Sequence, residues 1–347
     1  MLEKAQFQNL TTVPNAIWKF SSGINVIVGE NGLGKSHVLK AIYSMLKVQA
    51  QIGKDFSKST LEKAYADKLI AVMRPESIGR LVKRKQGRDR CEIALTMKDD
   101  GKNSKIAFAT NAKSQVEVIQ APNECLTLSP VYFPTRELAT LCPWFVPLYD
   151  NYHIEFEETW RDTVSLLGAP SIKGPRANKV ARLLKPLEEA MGGRVVVDGA
   201  NGRFYLQVTG EGRMEMPLVA EGMRKLAMLA RLISTGVLLE QGYLFWDEPE
   251  TNLNPKLIKT LAESIVRLAS EGIQIFIATH SLFLLRELEM LATNKNYKEM
   301  NSRYFSLVAE SDAVILEQGD RIDDLHTIVS LDEELRQSDR FLDAEET

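Results

Sequence analysis

Three stretches of the chain are apolar at almost every position: Ile24–Gly29 (INVIVG), Gly242–Glu248 (GYLFWDE) and Ile273–His280 (IQIFIATH). Such runs read as strands covered on both faces, the usual condition of a parallel sheet in an α/β domain. The period turns helical straight after the first run, where Val38, Leu39, Ile42, Tyr43 and Leu46 fall on one side. Helical spacing returns over residues 220–240, 255–272 and 281–291. Within residues 153–192 it gives two amphipathic helices split by the Gly/Pro-rich segment GAPSIKGPRANK. Residues 54–78 read as a more polar helix, and another polar helix closes the chain near LDEELRQSDRFLD. Alternation around turn signals predicts hairpins over residues 91–110 (turn DDGKN), 193–208 (turn GANG) and 303–318, with shorter strands in residues 5–13, 16–20, 114–122 and 127–133. The β–α order at both ends, with hairpins and helices between, predicts an α/β core interrupted by an insertion.

Composition narrows the class without naming it. Of 347 residues, 44% are hydrophobic and 26% charged, ordinary for a globular chain, and a net charge of −3 gives no whole-surface grip on nucleic acid. Cys91, Cys125 and Cys142 are widely spaced, which argues against a disulfide scaffold or zinc site, and the four histidines are scattered. The N-terminus has no apolar signal core, and no run approaches the ~18 apolar residues of a membrane helix. We expect a cytoplasmic protein that makes no membrane contact.

The chemistry sits at the ends of the apolar runs. GENGLGKS, comprising Gly29, Glu30, Asn31, Gly32, Leu33, Gly34, Lys35 and Ser36, fits G-x-x-x-x-G-K-[ST] at every fixed position. Its glycines let backbone N–H groups curl around phosphate oxygens, Lys35 supplies a charge for the β/γ-phosphates, and the Ser36 hydroxyl is placed for Mg²⁺. The helix that follows, from Ser36 and His37 onward, aims its positive end at the same phosphates. The second run ends in Asp247, a candidate for the Mg²⁺ shell, and Glu248, a candidate for polarising the attacking water. The third run ends about 33 residues later at Thr279, His280 and Ser281, and His280 is a candidate γ-phosphate sensor. The expected ligands are therefore ATP and Mg²⁺.

This ordered trio resembles the ABC-type ATPase superfamily. The resemblance implies a signature segment upstream of Asp247, and the candidate is VAEGMRKLAMLA, Val219–Ala230. It usually reads like L-S-G-G-Q and binds the γ-phosphate held by the other protomer; here Ala220 and Glu221 take the place of the serine and first glycine, Gly222 matches and is the candidate nucleotide contact, and Arg224 and Lys225 are candidates to supply charge instead. The same stretch also reads as an ordinary packed helix with Leu226, Leu229 and Ile233 inward. DEPETNLNP (Asp247–Pro255) is similar to the E-P-E-x-x-L-H-P string of RecF/SMC-like ATPases, above all the OLD family of phage-defence operons, with Asn254 in the histidine place. VYFPTRE (Val131–Glu137) resembles a strand-then-P-x-x-R element of those ATPases.

The resemblance implies a P-loop NTPase of the ABC/RecF-like head type, with an antiparallel β arm and an inserted helical subdomain. On the chain this divides as a P-loop lobe (1–50), arm (80–135), helical insertion (145–200) and a lobe with signature helix, DE strand and His strand (205–347). It also implies ATP-driven dimerisation or higher assembly, with two nucleotides sandwiched head to tail and Asn252 and Asn254 facing the other protomer. Asn254, directly before Pro255, equally fits a helix N-cap.

Absences bear on partners. No heptad run supports a long coiled coil between Ser36 and Glu221, and the 67 residues after His280 show no Toprim or H-N-H nuclease pattern. A nuclease or toxin effector is therefore expected as a separate polypeptide. The run Arg80–Arg90 carries Arg80, Lys83, Arg84, Lys85, Arg88 and Arg90, which suits phosphate contacts on nucleic acid or a solvated or partner-facing patch. Trp18 and Phe20 are the adenine-stacking candidates. A regulatory ATPase of a phage-defence module leads; a DNA-sensing RecF-like ATPase and a nucleotide-dependent scaffold with little turnover are the alternatives.

Overall fold

The chain opens with β1 (Leu2–Gln8), β2 (Ala16–Lys19) and β3 (Ile24–Gly29), followed by α1 (Lys35–Gln51) and α2 (Lys58–Met73). Strands β4 (Arg90–Met97), β5 (Ser104–Ala109), β6 (Glu117–Gln120) and β7 (Pro130–Phe133) lead to α3 (Phe145–Tyr152), α4 (Glu158–Leu167) and α5 (Ala177–Met191). Next come β8 (Gly193–Val197), β9 (Phe204–Val208), β10 (Gly212–Glu215), α6 (Glu221–Ser234), β11 (Tyr243–Asp247), α7 (Pro255–Ser270), β12 (Gln274–Ala278) and α8 (Leu282–Ala292). The hairpin of β13 (Ser302–Glu310) and β14 (Ala313–Gly319) precedes α9 (Val329–Glu345). This computed structural model describes residues 1–53, 57–83, 89–152, 154–172, 177–240, 242–294, 300–311 and 313–345.

The three apolar runs become β3, β11 and β12 of a six-stranded sheet ordered β14-β13-β3-β12-β11-β7, in which only the β13–β14 pairing is antiparallel. Successive side chains leave a strand on opposite faces, so each run feeds two cores. Leu244 and Trp246 of β11 pack on the α5–α8 side, whereas Tyr243 and Phe245 pack against α1 and the N-terminal strands. Ile275 and Ile277 against Phe276 and Ala278 repeat the division on β12. That double burial is why these strands carry no alternation in the sequence.

A second, antiparallel sheet is ordered β2-β1-β4-β5-β6. Hydrogen bonding thus corrects two boundaries drawn on the sequence. β1 and β2 belong to the arm sheet rather than to a 1–50 lobe, because β1 pairs with β4 from Leu2↔Met97 to Gln8↔Glu92. β7 leaves the arm and pairs in parallel with β11, as its four buried residues require.

The helical insertion is tied down by polar contacts. Tyr43 of α1 and Lys68 of α2 both donate to Asp162 of α4, at 2.6 and 2.7 Å, and Lys68 also meets Glu158 at 3.1 Å. Arg231 of α6 donates to the carbonyls of Leu167 and Ala169 and to Ser171, closing the far end of α4. The single helix read over residues 220–240 stops at Ser234, just before Gly236 at φ +73°. The helix read over 54–78 is shorter and less polar in use: Leu61, Tyr65, Leu69 and Val72 give α2 a buried face. Among the described residues no helix is long and apolar enough to cross a membrane.

Candidate functional site

β12 lies between β3 and β11, so the segments that follow these three strands meet at one edge of the sheet. The register is level there: Asp247 pairs with Ala278, and Ala278 with Ile27, two residues before Gly29. In open α/β sheets this carboxyl edge is where ligands bind.

The glycine loop leaves β3 at Gly29 with φ +146°; a Cβ there would stand 2.7 Å from the Leu307 carbonyl oxygen of β13, so only glycine fits. Gly34, at φ +100°, forms the N-cap of α1 and packs beside Thr12 and Val13. Lys35 folds back over the loop and donates to the carbonyls of Gly29 and Glu30 at 2.7 and 2.9 Å. Burial lowers its pKa, and the charges of Glu248, Asp247 and Glu250 oppose that. Asn31 and Gly32 are exposed, and Leu33 is half-buried against the core beneath α1. His37 shares a 2.8 Å hydrogen bond between Nδ1 and the Thr11 hydroxyl, and its burial lowers its pKa.

Asp247 is only 7% exposed. Burial raises its pKa, while the nearby Ser36 hydroxyl and Lys40 work the other way. Tyr132 donates to Oδ2 at 3.4 Å, and buried Oδ1 has no hydrogen-bond partner. A carboxylate oxygen left unpaired beside a serine hydroxyl matches the hard oxygen donors that Mg²⁺ takes alongside substrate phosphates. Glu248 has a left-handed backbone, φ +47°, and its N–H is held by the Ala278 carbonyl at 2.8 Å. Its Oε1 lies 3.4 Å from His280 Nδ1. Gly29, Glu30, Asn31 and His280 line one wall of a cleft whose other wall is the start of α9, at Val329, Ser330 and Glu333.

The structure therefore brings Lys35, Ser36, Asp247, Glu248 and His280 to one place. It adds Glu250, absent from the sequence-based site. Glu250 is 6% exposed; its Oε1 accepts from the Thr279 hydroxyl at 2.5 Å and the His280 N–H at 3.4 Å, locking the turn after β11 to the end of β12. Its sequence signal was the second glutamate of the E-P-E string, for which no role was assigned.

Gly222 is buried: a Cβ would be 2.4 Å from the Asn252 carbonyl oxygen, so packing within this chain already accounts for the glycine. Exposed Ala220 and Glu221 form the outward tip of α6. Arg224 and Lys225 are not free to supply charge outward. Arg224 meets Glu137 at 3.3 Å, joining α6 to the P-x-x-R-E loop, and Lys225 is 1% exposed. Asn254 caps α7, accepting from the Leu257 N–H at 3.0 Å. The adenine-stacking candidates fail: Trp18 is fully buried between Phe7 and Phe305, and Phe20 packs on Phe276 and Phe305. Of the basic run, Arg84, Lys85 and Arg88 lie outside the described residues; Arg80 pairs with Glu76, and Arg90 with Glu92 and Glu117.

Comparison with known proteins supports this architecture. Residues 131–286 match the family described as "AAA domain, putative AbiEii toxin, Type IV TA system", a span that includes Asp247, Glu248 and His280. No curated protein matches the chain. Among solved structures, an SMC head bound to the C-winged helix domain of ScpA is similar at a TM-score of 0.59 and 14% identity, over 92% of this chain and 97% of that one. An SMC head domain with an extended coiled coil, bound to the C-terminal domain of ScpA derived from Pyrococcus furiosus, is similar at 0.52 and 12%, over 98% and 99%. The chain has the fold of an ABC/SMC-type P-loop ATPase head.

Proposed function

We propose that this chain binds MgATP between the glycine loop and the Asp247–Glu248 turn, hydrolyses it, and acts as a regulatory subunit that pairs head to tail with a second copy and controls a separate effector, a nuclease or toxin. The observation that carries the reading is the meeting of Lys35 and Ser36 with Asp247, whose Oδ1 is buried without a partner.

In this reading, loop N–H groups and the Lys35 ammonium hold the β- and γ-phosphates, with Lys35 exchanging the Gly29 and Glu30 carbonyls for phosphate oxygens. Ser36 and Asp247 would hold Mg²⁺, which when bound neutralises charge developing on the phosphate oxygens. Glu248 orients a water and takes its proton as the water oxygen attacks the γ-phosphorus; the bond to the β–γ bridging oxygen breaks, leaving ADP and phosphate. His280, 3.4 Å from Glu248, fixes that carboxylate and faces the γ-phosphate end of the loop.

The regulatory part rests on the family match, described in terms of a toxin of a type IV TA system, and on the SMC heads, whose structures hold a separate protein, ScpA. Mass measurement with and without MgATP tests assembly. A Glu248→Gln chain is expected to double in mass with MgATP, Lys35→Ala to stay unchanged, and a wild type that neither binds nor hydrolyses ATP would overturn the proposal.

A further inference from the structure

Among the described residues, the bulkiest fully buried side chains are aromatic with one exception, Lys225, which is 1% exposed. A buried ammonium is costly unless partnered. Lys225 Nζ donates to two backbone carbonyls, Glu248 at 3.1 Å and Thr251 at 3.0 Å. Burial brings its pKa down to about 8; Glu250, then Glu221, Glu248 and Asp247, oppose the fall.

The segment it grips is unusual in its backbone. Glu248 and Asn252 both hold left-handed conformations, φ +47° and +65°, in a double turn closed by Thr251 N–H to the Glu248 carbonyl and Leu253 N–H to the Glu250 carbonyl. Non-glycine residues stay in that region only where the surroundings over-determine it. α6 supplies the constraint twice, one turn apart: Gly222 seats against the Asn252 carbonyl, and Lys225 holds those of Glu248 and Thr251.

We propose that Lys225 is a positioning residue for ATP hydrolysis, fixing the Glu248 turn to α6 so that the carboxylate, the Asn252 loop and the helix tip at Ala220–Glu221 move as one unit. The inference rests on the ATPase reading above. It gives that reading a means of regulation: displacement of the exposed α6 tip by a partner reaches the Glu248 carbonyl through the Lys225 ammonium rather than through the nucleotide.

The test is a double-mutant cycle on the full chain. Lys225→Met keeps the length and apolar stem but removes all three N–H donors. It is expected to lower kcat for ATP about tenfold or more, with KM and the affinity for a non-hydrolysable ATP analogue within about twofold. In a Glu248→Gln background, read by single turnover, the same change is expected to cost less than about twofold further, because its effect passes through Glu248. Lys225→Gln, which restores two N–H donors, takes the same cycle if Lys225→Met does not fold and is otherwise expected to recover part of the rate. Wild-type kcat in Lys225→Met, or an undiminished loss in the Glu248→Gln background, overturns the proposal while leaving the ATPase reading intact. Failure of the wild type to hydrolyse ATP at all, or equal turnover in Lys35→Ala, sinks the ATPase reading itself.

Discussion

Single residues at this site were legible in the sequence where the backbone demands one residue type. Gly29, Gly34, Lys35 and Ser36 match a fixed glycine-loop spacing, and the Asp247–Glu248 pair stands at the end of an apolar run where acidic residues are conspicuous. Lys225 and Glu250 were not legible in their present roles, because both act on backbone groups brought close only by folding: Lys225 on the Glu248 and Thr251 carbonyls, Glu250 on the His280 N–H. Lys225 in particular reads as an outward charge on a helix until burial is known. Two outcomes belong at this scale. Glu248→Gln is expected to lower kcat by about 10²–10⁴ while ATP binding persists, measured by phosphate release beside analogue titration. Gly222→Ala forces a methyl to within 2.4 Å of the Asn252 oxygen; a loss of about 1–3 kcal/mol in denaturant unfolding, with a reduced ATPase rate, is expected.

At the scale of elements, the apolar runs and helical periods gave the order of most strands and helices, because burial on one or two faces writes a period into the chain. Two elements were missed. α3 is short, and of its residues only Phe145 is fully buried; β10, Gly212–Glu215, buries none of its four. The helical spacing of Phe145, Leu148, Tyr149 and Tyr152 covers only about two turns, with Pro147 inside it, and β10 carries no alternation of buried and exposed positions. Strand partners were missed for another reason: β1 and β7 trade sheets through long-range pairing, and local pattern holds no record of it. The contact between α4 and the first two helices makes a pH prediction. Burial alone would raise the Asp162 pKa, but Lys68 and Lys47, with hydrogen bonds from Lys68 and Tyr43, bring it below the ordinary carboxylate value. A depressed folded pKa gives stability that is present above the unfolded value and lost as pH falls through the folded one. Acid unfolding followed by circular dichroism should therefore show a shallower loss below about pH 4 in Asp162→Asn, on a lower plateau at neutral pH. Equal acid limbs in the two proteins would remove this contact from the account. Asn254→Ala, which removes the α7 cap, is expected to cost about 1 kcal/mol in thermal or denaturant unfolding.

For the whole molecule, one sheet edge gathers residues separated by more than two hundred positions, and the other elements serve to hold that edge. The arm sheet shields one face of the central sheet together with α1, and the inserted helices brace α1 through Asp162. α6 spans from an exposed tip to the turn that carries Glu248. The claim on which the rest depends is that Asp247 and the glycine loop share one Mg²⁺–nucleotide. It is tested most directly by calorimetric titration of a non-hydrolysable ATP analogue into wild type and Asp247→Asn, each with and without Mg²⁺. The account predicts that Mg²⁺ strengthens binding at least tenfold in the wild type and changes it little in Asp247→Asn. An equal Mg²⁺ gain in both proteins would contradict it.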